Sequence, residues 1–437
     1  MNVLIIGSGA REHAIAKRLK QSPQDPMLFG LGQFNHPGLI HHCQNYLCVN
    51  VSDPSAVLQK AREWQIDLAI VGPEAPLAAG IADVLWSSGI RVIGPKASLA
   101  RIETEKAFAR QLMSTHQIPG VPLYRSCTEL SEAKAFLQHL GEGNYVIKGN
   151  GLMGGKGVKV AGEHLANFAE ALIFCQQMLS LHGSLVIEEK LIGQEFSLMC
   201  FCDGKKLVPM PVVQDHKRAF EHDLGPNTGG MGSYSDINHR LPFLLPSDID
   251  QAFAINQAII DALQETCGAP YVGILYGSFM ATAHGVFVIE FNARFGDPEA
   301  LNVLSLLESD FFQICQAMIH GELDQASVQF ANRATVCKYA VPIGYPDAHQ
   351  IDAMIDVRDV SDQVQLFLGA VEQKSGQLLM KGSRAAAIVG IGSTISEAER
   401  IAEQEISKIK GQFFYRQDIG KIASIQTRIE SMAKIRP

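Results

Sequence analysis

The first hundred residues restrict the fold more than any other part of the chain. Short apolar runs at 3–6, 67–71 and 91–93 each close on glycine, at Gly7, at Gly72-Pro73 and at Gly94-Pro95. Amphipathic stretches, such as 12–21 with its helical period, lie between them. Buried strands alternating with helices predict a parallel sheet, because parallel neighbours are joined by right-handed crossovers. Residues 1–103 are therefore expected to form an open parallel α/β domain.

With 437 residues the chain exceeds one ordinary core, and at about 150 residues per domain roughly three are expected. Residues 103–116 read as a helix ended by Pro119 and Pro122. Strands are expected at 145–148 and 185–188, inside a region of about 121–190 with the size and placement of an inserted lid. Strands at 335–341 and 385–389 and a helix at 395–410 mark a smaller α+β domain. The expected division is 1–103, 104–328 with the lid, and 329–437.

Composition excludes several classes. A net charge of −8, from 45 acids and 37 bases, with no basic stripe, argues against a nucleic-acid binder. Nine scattered cysteines with no CxxC pair fit reduced thiols in the cytoplasm. The N-terminal apolar run lacks a basic leader, and no run reaches the ~18 residues of a membrane span. No membrane partner is expected.

Five motifs carry candidate chemistry. In Gly7-Ser8-Gly9-Ala10-Arg11-Glu12-His13, a glycine turn leads from strand to helix, and the helix start attracts an anion. Glu12 stands where a dinucleotide fingerprint needs a third small residue, so Arg11 and His13 suit a single phosphate better; a plain packing turn reads equally well. Gly149-Asn150-Gly151-Leu152-Met153-Gly154-Gly155-Lys156-Gly157 is not a P-loop, because Gly157 follows Lys156 where Ser or Thr is required. It suits a phosphate flap with Lys148 at its base, or a simple hairpin. The strand ending in Glu188-Glu189, with Leu191 and Glu195 following, could face adenine and ribose; a solvated strand end looks the same. Asp215-His216-Lys217-Arg218 precedes the loop 225–232, four of whose eight residues are glycine, and such a loop is costly to order without a ligand. Finally, Glu290, Asn292 and Arg294 recur with period two on one strand face. A carboxylate and an amide oxygen there suit Mg²⁺, with an arginine beside them for a carboxylate or phosphate; a buried ion pair is the alternative.

Together the motifs resemble the ATP-grasp superfamily and, more closely, the glycinamide ribonucleotide synthetases (phosphoribosylamine–glycine ligases). The stretches GSGAREHA, IVGPEAPL at 70–77, EKAFAR at 105–110, VIK with GLMGGKGV, VIEE, QDHKR, GPNTGGMGSYS and IEFNARFGDPE carry the likeness in order along nearly the whole chain. The resemblance implies a purine-biosynthetic ligase that joins glycine to 5-phosphoribosylamine with ATP. It implies that Lys106, Lys148 and Lys156 contact ATP phosphates, that Glu188, Glu189 and Leu191 hold adenine, and that Glu195 holds ribose. It assigns Glu290 and Asn292 to Mg²⁺ or Mn²⁺, and Arg294, Asp215 and Lys217 to the catalytic group. Gly9, Arg11, Glu12, Asn227, Gly229, Gly230, Asp297 and Glu299 fall to the substrates. A monomer or weak homodimer is expected. The family pattern is departed from at Gly149-Asn150, at Met153-Gly154, at Leu31-Gly32-Gln33, where Pro-Gly-Asn is usual, and at Leu368-Gly369-Ala370-Val371, where His-Ala-Gly-Thr is usual. A paralogue with another amine or carboxylate, or a non-catalytic nucleotide binder, are the competing readings.

Overall fold

The strand Asn2–Ile6 is buried from Val3 onward, and its parallel neighbours lie on both sides. The computed structural model describes residues 1–154, 157–347 and 350–436. In the N-terminal sheet the order is Asn45–Cys48, Met27–Gly32, Asn2–Ile6, Leu68–Val71, Arg91–Ile93, all parallel. The sequence reading identified the first, fourth and fifth strands along the chain and not Met27–Gly32 or Asn45–Cys48. The chain order reverses at Asn2–Ile6, so its end and that of Leu68–Val71 form a switch point, where open parallel sheets bind ligands. Gly7–Gly9 and Gly72-Pro73 stand there.

The helix expected at 103–116 is two helices, Ala97–Thr104 and Lys106–Thr115, parted by an extended Glu105 (φ −131°, ψ 98°). The break starts a new helix at Lys106, and Ala107 N–H donates to Asn150 Oδ1 (3.2 Å). Residues 124–189 then build a separate antiparallel sheet, ordered Tyr124–Cys127, Leu185–Glu189, Tyr145–Gly149, Val158–Val160. Helices Leu130–Leu140 and Phe168–His182 pack on it around a core of its own, including Leu137, Ile147, Cys175 and Ile187.

A second antiparallel sheet faces the first: Leu207–Pro209, Gly193–Asp203, Val272–Thr282, Gly285–Asn292. A third sheet crosses the boundary expected near 328. Gln214–Asp215 and Gly232–Ser235 continue into Ala334–Pro342, Ala386–Gly392 and Gln365–Leu368. The helix expected at 395–410 is Ile395–Ile406. The last helix, Ile422–Ile435, returns to the middle of the chain, where Arg436 is paired bidentately with Asp248 (2.8 and 2.9 Å).

Candidate active site

Strand Gly285–Asn292 carries Glu290 and Asn292 near its end, within electrostatic reach of Lys217, Lys106 and Lys148, and Arg294 follows the strand end. Arg294 is clamped from the N-terminal domain: its Nη2 lies 2.8 Å from Glu103 and its Nε 3.3 Å from Glu74. It also donates to Asn292 Oδ1 (3.3 Å). Burial works against its charge, but Glu103 and Glu74 hold its pKa above the usual value. Burial pushes Glu103 itself up to about 7, against Arg294, and its carboxylate accepts from Ala293 N–H (2.7 Å). Glu290 differs from these carboxylates. It is half-buried, and its carboxylate makes no hydrogen bond or ion pair among the described residues. Desolvation disfavours its charge, yet Lys217, Lys106, Lys148 and Arg294 keep its pKa low. An ionised carboxylate without a partner, beside an amide oxygen, suits a hard divalent cation that takes its other ligands from water and phosphates. Among the described residues no group of three His, Cys, Asp or Glu side chains is arranged to hold a metal alone.

Lys217 faces a ring of acids. Its Nζ is 3.3 Å from Glu195, and Glu195, Asp215, Glu290 and Glu299 outweigh desolvation to raise its pKa. Glu299 starts the helix Glu299–Leu306, and its Oε1 accepts from the Tyr276 hydroxyl (2.7 Å). Asp215 lies at a crowded position: desolvation, and then Glu299, Glu195 and Glu290, push it up to about 7 against Lys217.

The lid-side wall is a buried trio. Glu188 receives both Arg110 (2.7 and 3.0 Å) and Lys148 (2.8 Å). Burial alone would raise the Glu188 pKa, but the two cations hold it at about 2. Lys148 loses more to desolvation than Glu188 returns, and its pKa is lowered. Both cations also reach the strand opposite: Lys148 donates to Ile289 O (2.7 Å), and Arg110 to Val288 O and Ile289 O (both 2.9 Å). The Glu188 side chain is thus committed to cations; its segment offers a ligand backbone groups and not that carboxylate. Glu189 accepts from Leu123 N–H (2.7 Å), and Leu191 is half-buried. Lys106 donates to Gly151 O (2.9 Å) at the flap base. Lys156 lies outside the described residues.

At the switch point of the parallel sheet lies a cleft of about 200 Å³. Gly7–Glu12, Gln33, Phe34, Val51 and Pro73 form one side, and Asp297, Tyr339, Gly369, Ala370, Ser383 and Arg384 the other. Glu12 holds the turn, accepting from Gly9 N–H (2.5 Å) and Arg11 Nε (2.6 Å). Gly7 has φ +126°, and a Cβ there would sit 2.8 Å from the Glu12 side chain. Arg11 also donates to Phe295 O (3.0 Å), which joins the turn to the strand end carrying Arg294. His13, expected at the phosphate with Arg11, turns away from the cleft and accepts from Leu368 N–H (3.0 Å). Across the cleft Arg384 donates to Gly229 O (2.7 Å), Gly230 O (3.2 Å) and Asp297 O (2.6 Å), with its guanidinium 4.8 Å from the Tyr339 ring. Asp297 accepts from the Tyr339 hydroxyl (2.6 Å). Asn227 pairs with Arg218 in the hairpin before this loop. Two positions of family departure, Gln33 and Gly369-Ala370, line the cleft.

Sequence reasoning did not single out Arg110, Glu103, Glu74, Tyr339 or Arg384. Arg110 and Glu74 sat inside stretches that carried the resemblance. Tyr339 and Arg384 come from the last domain, where, beyond strands and a helix, the sequence drew attention only to the departure at Leu368-Gly369-Ala370-Val371.

Comparison with known proteins agrees along the chain. Residues 1–103, 104–300 and 335–422 match the N domain, the ATP-grasp (A) domain and the C domain of phosphoribosylglycinamide synthetase. A phosphoribosylamine–glycine ligase of Methanosarcina barkeri is 48% identical over 436 residues, covering 100% of both chains. The crystal structure of phosphoribosylamine–glycine ligase from Thermotoga maritima superposes with a TM-score of 0.80 at 26% identity, over 96% of this chain and 100% of that one. A biotin carboxylase domain of Hydrogenobacter thermophilus 2-oxoglutarate carboxylase, solved with MgADP and bicarbonate, shares the fold alone (TM-score 0.72, 14% identity, 99% and 93% covered). The glycine turn, the acid-ringed lysine and the strand ending in Glu290 and Asn292 thus sit in a chain that matches, in order and over its full length, one set of three domains, and the chain belongs to the phosphoribosylglycinamide synthetase family.

Proposed function

We propose that this protein joins glycine to 5-phosphoribosylamine with ATP, giving glycinamide ribonucleotide, ADP and phosphate in purine biosynthesis. The observation that carries the reading is the turn 294–299. Arg294 and Glu299 belong to the charged cluster, while Asp297 lines the switch-point cleft. A phosphoryl-transfer site and an acceptor site therefore meet across one turn, as a two-step ligation requires.

In the first step a glycine carboxylate oxygen attacks the γ-phosphorus and ADP leaves. Lys106 and Lys148 are assigned to the phosphates, as is Lys156. The Glu188–Glu189–Leu191 segment is assigned to adenine and Glu195 to ribose. Arg294 is assigned to the glycine carboxylate, whose negative charge must approach a phosphate. Glu290 and Asn292 would hold Mg²⁺ or Mn²⁺, which when bound supplies positive charge to the ATP phosphates. In the second step the sugar amine attacks the glycyl carbonyl carbon and phosphate departs with the carboxylate oxygen. Asp215, with a pKa near 7, takes the proton the amine sheds. Arg11, Gly9, Asp297 and the loop Asn227, Gly229, Gly230 hold the acceptor, with Glu12 setting the turn. The residues at 121–190 exclude water from the acyl phosphate.

The same reading divides the chain at 103/104 and 328/329 and makes it a cytoplasmic monomer or weak homodimer. Glycine labelled with ¹⁸O in its carboxylate tests the order of steps. One label should appear in inorganic phosphate; label in AMP, or none in phosphate, would contradict the acyl phosphate.

A further inference from the structure

His13 stands in the glycine-turn motif yet does not line the cleft. Its ring is buried, and its Nδ1 accepts from Leu368 N–H (3.0 Å). His36, fully buried at the start of helix Pro37–His42, takes the other backbone group of the same residue: Nε2 donates to Leu368 O (2.9 Å), while Nδ1 accepts from Leu39 N–H (3.1 Å). These bonds require neutral imidazoles protonated on Nε2. Burial favours that form, lowering the His13 pKa well below the usual value and that of His36 to about 4.

The sequence keeps space for this arrangement. A Cβ on Gly38 would lie 2.6 Å from both nitrogens of the His13 ring. Phe367 meets the ring edge-on (centroids 6.0 Å, 87°), and the two histidines pack at 5.6 Å. Leu368 ends strand Gln365–Leu368, and the next two residues, Gly369 and Ala370, line the cleft. They are bonded in turn to the segment carrying Arg384: Gly369 N–H donates to Ala385 O and Ala370 N–H to Arg384 O, both at 2.7 Å.

We propose that His13 and His36 are positioning residues for the acceptor site: they clasp both backbone groups of Leu368 and so set the Gly369–Ala370 wall and the Arg384 guanidinium against the glycine turn. The inference rests on the cleft being the phosphoribosylamine site. The histidines touch no substrate. Their effect falls on the acceptor because the residues they hold line that cleft, while ATP and glycine bind beyond the turn 294–299.

The test is steady-state kinetics on the full chain, each substrate varied in turn, with phosphoribosylamine generated in the assay. His13→Leu removes the acceptor atom, His13→Asn returns an oxygen near the Nδ1 position, and Gly38→Ala displaces the ring without altering it. His13→Leu and Gly38→Ala should raise the KM for phosphoribosylamine about tenfold, equivalent to about 1.4 kcal/mol. The KM values for ATP and glycine should stay within about twofold, and His13→Asn should recover most of the loss. A rise in all three KM values together, or no change in any, would overturn the clasp while leaving the ligase reading intact. Failure of the wild-type chain to use phosphoribosylamine at all would remove the acceptor reading, and the clasp's role with it.

Discussion

Glu290 is kept ionised by Lys217, Lys106, Lys148 and Arg294 at longer range, and its carboxylate has no direct partner among the described residues, whereas neighbouring Glu103, Glu188 and Glu299 all have hydrogen-bond partners. On the proposed reading, that contrast separates a residue kept for chemistry from residues kept for architecture. Glu290→Ala should abolish ligation and leave the thermal midpoint unchanged or slightly lower, since Lys217, Lys106, Lys148 and Arg294 favour the charge that is removed; near-wild-type turnover would remove Glu290 from the site. Glu188→Gln should do the opposite kind of damage. It leaves Arg110 and Lys148 buried without their counter-charge, at a cost of about 3–5 kcal/mol in unfolding free energy. A denaturation change under about 1 kcal/mol would show that the trio relaxes. Asp215 gives a pH dependence. Its pKa is raised to about 7, so it is protonated and unable to accept below that value and ionised above it. kcat should climb through pH 7, and Asp215→Asn should lose that limb; an unchanged profile would assign the limb elsewhere. At this scale the sequence was readable where residue type and period coincide, as at Glu290 and Asn292. It was unreadable where a charge matters through a distant partner: Arg110 finds Glu188 from 78 residues away, and no local pattern announces such a pair.

Among the elements, the lid sheet has its own core and is tied to the rest of the chain by polar links. One is Arg218, on the hairpin before the glycine-rich loop, which reaches Glu163 (2.5 Å) and His164 (2.6 Å) in the lid. An element with a self-contained core can move as a body, and on that reading Arg218 is a contact that holds the lid in place. Arg218→Ala should raise ATP hydrolysis in the presence of glycine and the absence of acceptor, because glycyl phosphate would meet water. Unchanged coupling would mean that the lid closes without it. The elements were legible where hydrophobic period dominates, as in the strand Leu68–Val71 and the helix Ala10–Leu19. The helix break at Glu105 was not. Its cause is tertiary: Glu103 is held by Ala293 and Arg294, and Lys106 turns to Gly151. The strand Asn45–Cys48 was missed because it is a short, largely exposed edge strand.

For the whole molecule, the third sheet binds the C-terminal part of the chain to its middle. Gly232–Ser235 pairs with Ala334–Pro342, and Tyr339 on that strand reaches Asp297 beside the site. The C-terminal segment therefore lines the same cleft as the glycine turn and is not an appendage. A chain cut to residues 1–328 would expose the edge of Gly232–Ser235 and should be recovered aggregated; a soluble, fully active fragment would contradict this. Such long-range pairing left no trace in the sequence, because register between strands a hundred residues apart depends on how several domains pack. The departures at Gln33 and Gly369-Ala370 were legible as departures, and only the fold brought them into one cleft. No helix among the described residues is long and apolar enough to cross a membrane.

The most direct test of the account is phosphate release from ATP with Mg²⁺, glycine and freshly generated phosphoribosylamine, each component omitted in turn, with the product weighed by mass spectrometry. The account predicts release that requires both glycine and the sugar amine, and a product of glycinamide ribonucleotide mass. Release of equal rate without the sugar amine, or only with a different amine, would contradict it.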